Sequence, residues 1–222
     1  MKILLKILLL LSLSSCSSFN QERIAPNYFN AYKALKDSIY GLEDYPISRA
    51  LVDKIPYASI KVKVGKGGAG LMILEEINND QFIYLSADGV RFVIKEGKIT
   101  RSSGFKNNLT RKEESSYTIK SFLESRLTKQ DYVIYHSYDE PNLVDLKLNV
   151  SIKRKDIETH QILGISYDLI KVEEIIQSQY LGWKRMNIYW VSSKDYFVWK
   201  SEQHLSPLLP IIKYEVTKKP TY

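Results

Sequence analysis

A period-two alternation of apolar and polar residues dominates the chain. That period marks strands with one buried and one wet face. Val144, Leu146, Leu148, Val150 and Ile152 alternate with Asp145, Lys147, Asn149, Ser151 and Lys153. Ile60, Val62 and Val64 alternate with Lys61 and Lys63. Val90, Phe92 and Ile94 alternate with Arg91 and Lys95, with Val93 as the exception. Ile165, Tyr167 and Leu169 continue the theme, and near Ile170 the apolar phase shifts to Val172, as a bulge requires. Ile212, Tyr214 and Val216 supply a last strand. The glycine-rich stretch from Gly65 to Gly70, the polar break at Asn78, Asn79 and Asp80, and the segment from Ser192 to Asp195 separate these runs. Asp88-Gly89 and Glu96-Gly97 suit tight hairpins.

Helical spacing is rarer. Phe29, Tyr32, Leu35 and Ile39 recur every three or four residues, which predicts an amphipathic helix from Asn27 to Tyr40, capped by Asn27 and followed by Gly41. A second short helix is predicted from Ser48 to Lys54, stopped before Pro56, and Ser121 to Lys129 allows a third. Many short strands without alternating helices predict a mainly β fold: one antiparallel β-barrel-like domain with a short N-terminal amphipathic helix.

The N-terminus has a different grammar. Lys2 and Lys6 precede an apolar run from Ile7 to Leu13 broken only by Ser12, then Ser14, Ser15 and Cys16. A basic start, a short apolar core and small residues make a secretory signal, too short to span a bilayer. Leu13-Ser14-Ser15-Cys16 resembles a bacterial lipobox. The resemblance implies diacylglycerol on the Cys16 thiol, cleavage before it and an acyl chain such as palmitate on the new amino group, and two or more chains anchor stably. The expected organisation is a signal peptide over 1–15, a lipidated tether over 16–26 and a single β-rich periplasmic domain over 27–222. Ser17 follows the cysteine; by resemblance to enteric lipoproteins, the lack of Asp there points to the outer membrane, periplasmic face.

Composition narrows the chemistry. The 222 residues carry 32 Lys and Arg against 25 Asp and Glu, a formal charge of +7, with 16 Tyr, 3 His and 1 Cys. A single Cys excludes an internal disulfide and Cys-based zinc sites. His136, His160 and His204 have no metal-ligand spacing, so no metal and no cofactor beyond the lipid on Cys16 is expected. Gly65, Gly67 and Gly70 match G-x-G-x-x-G, but a seven-residue segment before the next break leaves no room for the βαβ unit that motif needs, so a hairpin loop is the reading. Pairs such as Glu173-Glu174 point to opposite faces of a strand and do not converge on a substrate. No catalytic residues are assigned, although Asp139 and Glu140 with Asp168 would be the carboxylates to watch in a periplasmic polysaccharide-modifying enzyme. Lys153, Arg154 and Lys155 form the densest basic run and could meet an acidic polysaccharide or anionic headgroups. Trp183, Trp190 and Trp199, in an aromatic-rich segment, are candidates for stacking on sugars or for core packing. Nucleic acid is not an expected partner of an exported chain.

An ordered set of motifs then stands out. Pro56-Tyr57-Ala58-Ser59 precedes the glycine loop, followed by Ser86-Ala87-Asp88-Gly89, Gly97-Lys98, Arg101, Gly104 and Asn108-Leu109. Trp190 then leads into Tyr196, Val198-Trp199-Lys200-Ser201, Gln203, Leu205-Ser206-Pro207, Pro210, Glu215 and Lys218. From about Phe29 to Pro220 this order resembles the YjbF/GfcB family of bacterial lipoproteins, associated with group 4 capsule and exopolysaccharide loci. Tyr84 stands where that pattern has Trp, and Ser102 and Phe105 where it has Thr and Leu. The resemblance implies a non-enzymatic outer-membrane lipoprotein, accessory to capsule or exopolysaccharide secretion, with partners among the other proteins of such a locus and the polysaccharide itself as a further candidate. A lipid- or lipoprotein-binding half-barrel carrier is the alternative.

Overall fold

A computed structural model describes residues 42–112 and 117–221. Cys16, the tether and the expected helix from Asn27 to Tyr40 lie outside them. From Glu43 onward the chain forms one compact unit. It is a single sheet of twelve strands, ordered β5-β4-β3-β2-β1-β12-β11-β10-β9-β8-β7-β6, and every paired neighbour is antiparallel. The strands are β1 (Ser59–Val64), β2 (Gly70–Asn78), β3 (Gln81–Ser86), β4 (Arg91–Lys95), β5 (Lys98–Ser103), β6 (Leu109–Lys112), β7 (Lys129–Tyr138), β8 (Leu143–Ile162), β9 (Ile165–Ser178), β10 (Trp183–Ser192), β11 (Val198–Gln203) and β12 (Ile212–Lys218).

The end strands β5 and β6 meet, so the sheet curls into a nearly closed barrel. Side chains close that seam: the Leu109 amide donates to Ser102 Oγ at 3.0 Å, and Arg101 Nε donates to the Thr110 carbonyl at 3.1 Å. Closure removes the exposed edges that an open sheet leaves. The glycine stretch is the β1–β2 hairpin loop, as expected, and not a phosphate cradle.

Among the described residues two short helices flank the strands. The first, α1 (Arg49–Asp53), starts where Ser48 accepts the Leu51 amide at 3.2 Å. The second, α2 (Ile119–Glu124), begins two residues earlier than the sequence suggested, because Thr118 and Ser121 form a reciprocal capping box, and Arg126 at φ 59° ends the segment. Ile119, Phe122 and Leu123 of α2 join the barrel core.

Alternation places Leu146, Leu148, Val150 and Ile152 of β8 inside, as expected. Val144 departs from the pattern and is 71% exposed, because Asp145 adopts φ 51° and breaks the pleat between them. The bulge anticipated near Ile170 lies in the β8–β9 register between Arg154 and Ile157. Beyond it the hairpin tip lies over β10–β12: Tyr167 meets Trp199 with ring centroids 4.3 Å apart, His160 meets Trp190 at 5.0 Å, and Arg49 ties the Ile162 and Thr217 carbonyls together. The buried phase changes there because the hairpin stops lining the barrel and starts covering its outside.

Candidate functional site

The barrel interior holds a charged network that sequence reasoning missed. Glu174 of β9 is 0% exposed. Its Oε1 accepts Lys98 Nζ at 2.5 Å and Tyr132 OH at 2.8 Å; its Oε2 accepts Asn187 Nδ2 at 3.0 Å and Tyr189 OH at 2.9 Å. The Asn187 carbonyl in turn accepts the His204 amide. Every lone-pair direction of the carboxylate is thus used, as a buried charge requires. Burial alone would raise the Glu174 pKa, but the ammonium groups of Lys98 and Lys112 and these hydrogen bonds hold it well below the carboxylate range. Burial opposes the charge on Lys98, yet Glu174 and Tyr132 outweigh it and raise that pKa.

Lys112 and His136 pair in register on β6 and β7, with His136 buried inside. Burial, reinforced by Lys98 and opposed by Glu174, lowers Lys112 to about 8. Burial and then Lys112 lower His136 well below its usual value. Tyr138 OH donates to the Leu205 carbonyl at 3.0 Å, so His136 Nδ1 is the donor toward Tyr138 at 3.1 Å, which leaves Nε2 as an unpaired acceptor. The network crosses the lumen from β5 to β9. The continuous apolar chamber that a half-barrel lipid carrier needs is therefore interrupted among the described residues.

One end of the barrel opens into a cleft of about 470 Å³, where the turns at Asp80, Glu96 and Asp195 surround Tyr84, Tyr214 and Phe197. Lys219 pairs with Asp195 there and lies 4.5 Å from the Phe197 ring centre. At this end Tyr214 OH and Gln203 Nε2 both donate to the Gly97 carbonyl, and Gln203 Oε1 accepts the Ile99 amide at 3.0 Å.

The sequence candidates are dispersed. Trp183 is buried in the core, with its indole N–H unpartnered. Trp190 is only 6% exposed and donates to Glu158 at 2.7 Å, beneath the folded-back hairpin; Trp199 is half-buried beside it. Glu158 also accepts Lys171 at 3.0 Å, and its indole and lysine donors lower its pKa to about 2. Lys153 is half-buried on the outer face of β8, while Arg154 and Lys155 are exposed at the bulge, with Lys155 3.3 Å from Glu173. Asp139 accepts the Asn108 backbone and side-chain amides at 2.6 and 2.7 Å, at one end of β8. Asp168 accepts Thr159 at 2.6 Å, near the other end. These carboxylates do not converge. No cluster of three metal-ligating side chains occurs among the described residues.

A carboxylate-centred polar core inside a nearly closed antiparallel barrel is thus the chain's distinctive geometry. The family described as group 4 capsule polysaccharide lipoprotein gfcB, YjbF matches residues 32–216. The chain belongs to the YjbF/GfcB family. Among solved structures it is similar to the hypothetical lipoprotein YmcC from Escherichia coli K12, with 16% identity over 90% of this chain and 100% of that one, at a TM-score of 0.71. That likeness shows the shared fold. A further solved structure, from Parabacteroides distasonis ATCC 8503, covers 72% of this chain and 92% of its own at 10% identity and a TM-score of 0.38. No curated protein matches the chain. A YjbF/GfcB protein is a capsule-associated lipoprotein.

Proposed function

We propose that this chain is a non-enzymatic accessory factor in capsule or exopolysaccharide secretion. It is held at the periplasmic face of the outer membrane by diacylglycerol and an acyl chain on Cys16, and works with other proteins of a polysaccharide secretion locus. The match of residues 32–216 to a family of capsule polysaccharide lipoproteins carries this reading. Two structural facts support it. Of the carboxylates considered for a polysaccharide-modifying enzyme, Asp139 and Asp168 are engaged separately as turn and cross-strand acceptors, and Glu140 is exposed beside Asp139. Glu174 is wholly buried and saturated by internal donors.

Deleting the gene is expected to lower surface polysaccharide while cytoplasmic precursor synthesis continues. Complementation with Cys16→Ala is expected to yield protein that high salt strips from membranes. Unchanged surface polysaccharide in the deletion overturns the secretion role; salt-resistant membrane association of Cys16→Ala overturns the anchor.

A further inference from the structure

Outside the barrel, two shallow grooves of about 570 and 470 Å³ share Asn149 and so run on from one another along the solvent face of β8. The first is lined by Lys129, Lys153, Lys184 and Gln177; the second by Lys147 and Tyr180. The period of two puts Lys147, Asn149, Ser151 and Lys153 on this one face. At about 3.4 Å per residue, the stretch of β8 from Val144 to Lys153 gives a furrow about 30 Å long.

The charge along it is unbalanced. Of its two acidic residues, Asp131 is paired with Lys129 at 2.8 Å and Asp145 is paired with Arg111. Lys147, Lys153 and Lys184 form no ion pair with a described residue. Tyr180, in the β9–β10 turn, is 82% exposed at the far end. Its ring offers a flat apolar face with a polar hydroxyl beside Lys147 and Asn149.

We propose that this furrow binds an extended, negatively charged polysaccharide strand: lysines against its acidic groups, amides against its hydroxyls, Tyr180 against a sugar face. The inference deepens the secretion reading by naming the class of polymer and the surface that meets it. Cations confined to a furrow with amides on its floor suit a chain, whereas a lipid headgroup layer is broad and flat. Three lysines without an ion pair, two on β8 and one on β10, also suit a repeating acidic polymer more than a single anion. Trp190 and Trp199, under the hairpin, take no part.

The test titrates the full-length protein, purified in detergent, with polygalacturonate, with neutral dextran and with phosphatidylglycerol vesicles. Polygalacturonate is expected to bind and dextran not to, with affinity falling as salt rises. The combined variant Lys147→Glu, Lys153→Glu, Lys184→Glu is expected to weaken binding at least about tenfold, because like charges then face the polymer. Tyr180→Ala, which leaves the charge alone, is expected to weaken it about threefold to tenfold with an unchanged salt dependence. Failure to bind polygalacturonate, equal binding of dextran, undiminished binding by both variants, or capture of the vesicles alone would each overturn the proposal. If the furrow fails while the gene deletion still lowers surface polysaccharide, the secretion role stands and only this surface is excluded.

Discussion

Glu174 is an ionised carboxylate taken wholly out of water, which costs several kcal/mol before any pairing. Lys98, Tyr132, Asn187 and Tyr189 offset that cost, but an apolar pair of the same volume does as well in many proteins. Lys98→Met therefore strands a carboxylate, Glu174→Leu strands an ammonium, and each is expected to lower stability by about 3–5 kcal/mol. The double variant is expected to regain most of that loss, since neither orphan charge is left. Denaturant unfolding of the four proteins checks it; simply additive losses would show that the two residues are not coupled. In the sequence, Glu174 sits at an apolar position of its own alternation, between Val172 and Ile176. The Glu173-Glu174 pair reads there as two carboxylates on opposite faces, and Glu173 is the one that faces outward. What marks Glu174 as internal is its phase: the shift to Val172 near Ile170 carries it onto the buried face with Ile176. Lys98 is hidden for another reason: its partner lies 76 positions away, and pairing at that range leaves no local trace.

Among the elements, the β4–β5 hairpin shows how tightly the walls meet. Its turn residue Gly97 has φ 80°, and a Cβ there would stand 2.3 Å from Val198 of β11, five strands away in the sheet. Gly97→Ala is expected to cost about 2 kcal/mol or more, from both the backbone strain and the clash. Adding Val198→Ala is expected to return only part of it, because the backbone strain persists. Thermal melting of both variants tests this, and an unchanged melt for Gly97→Ala would contradict the close approach. Strand positions were legible because one face of each strand is wet, and turns because Gly and Asn permit positive φ. The fold-back of the β8–β9 hairpin was legible only as a change of phase. A one-dimensional pattern records that burial switches sides, not that a second layer has formed, so Trp190 and Trp199 read as candidates for a sugar surface or for core packing. The furrow was partly visible, through Lys153; Lys184 and Tyr180 join it only once β9 and β10 are placed beside β8.

For the molecule as a whole, the interior groups set a response to acid. His136 is kept neutral by burial, so below pH 6.5, its ordinary value, the unfolded chain takes up a proton that the folded chain refuses. Below 4.5, the ordinary value for glutamate, the same holds for Glu174. In both cases the folded pKa is depressed, so the stabilisation is complete above the unfolded value and is lost as pH falls. Denaturant unfolding at about pH 7.5, 5.5 and 3.5 is expected to show two successive losses, and His136→Asn is expected to flatten the first. A wild-type profile that is level between the upper two values would contradict the buried neutral imidazole.

The polarity of the walls has one more consequence. Barrels embedded in lipid turn an apolar band outward and keep a polar lumen. Here β8 turns Lys147, Asn149, Ser151 and Lys153 outward and Leu146, Leu148, Val150 and Ile152 inward, with the Lys98–Glu174 pair bridging from one side to the other. On the secretion reading proposed above, a polymer leaving the cell would meet the flank of the described barrel and not its filled interior.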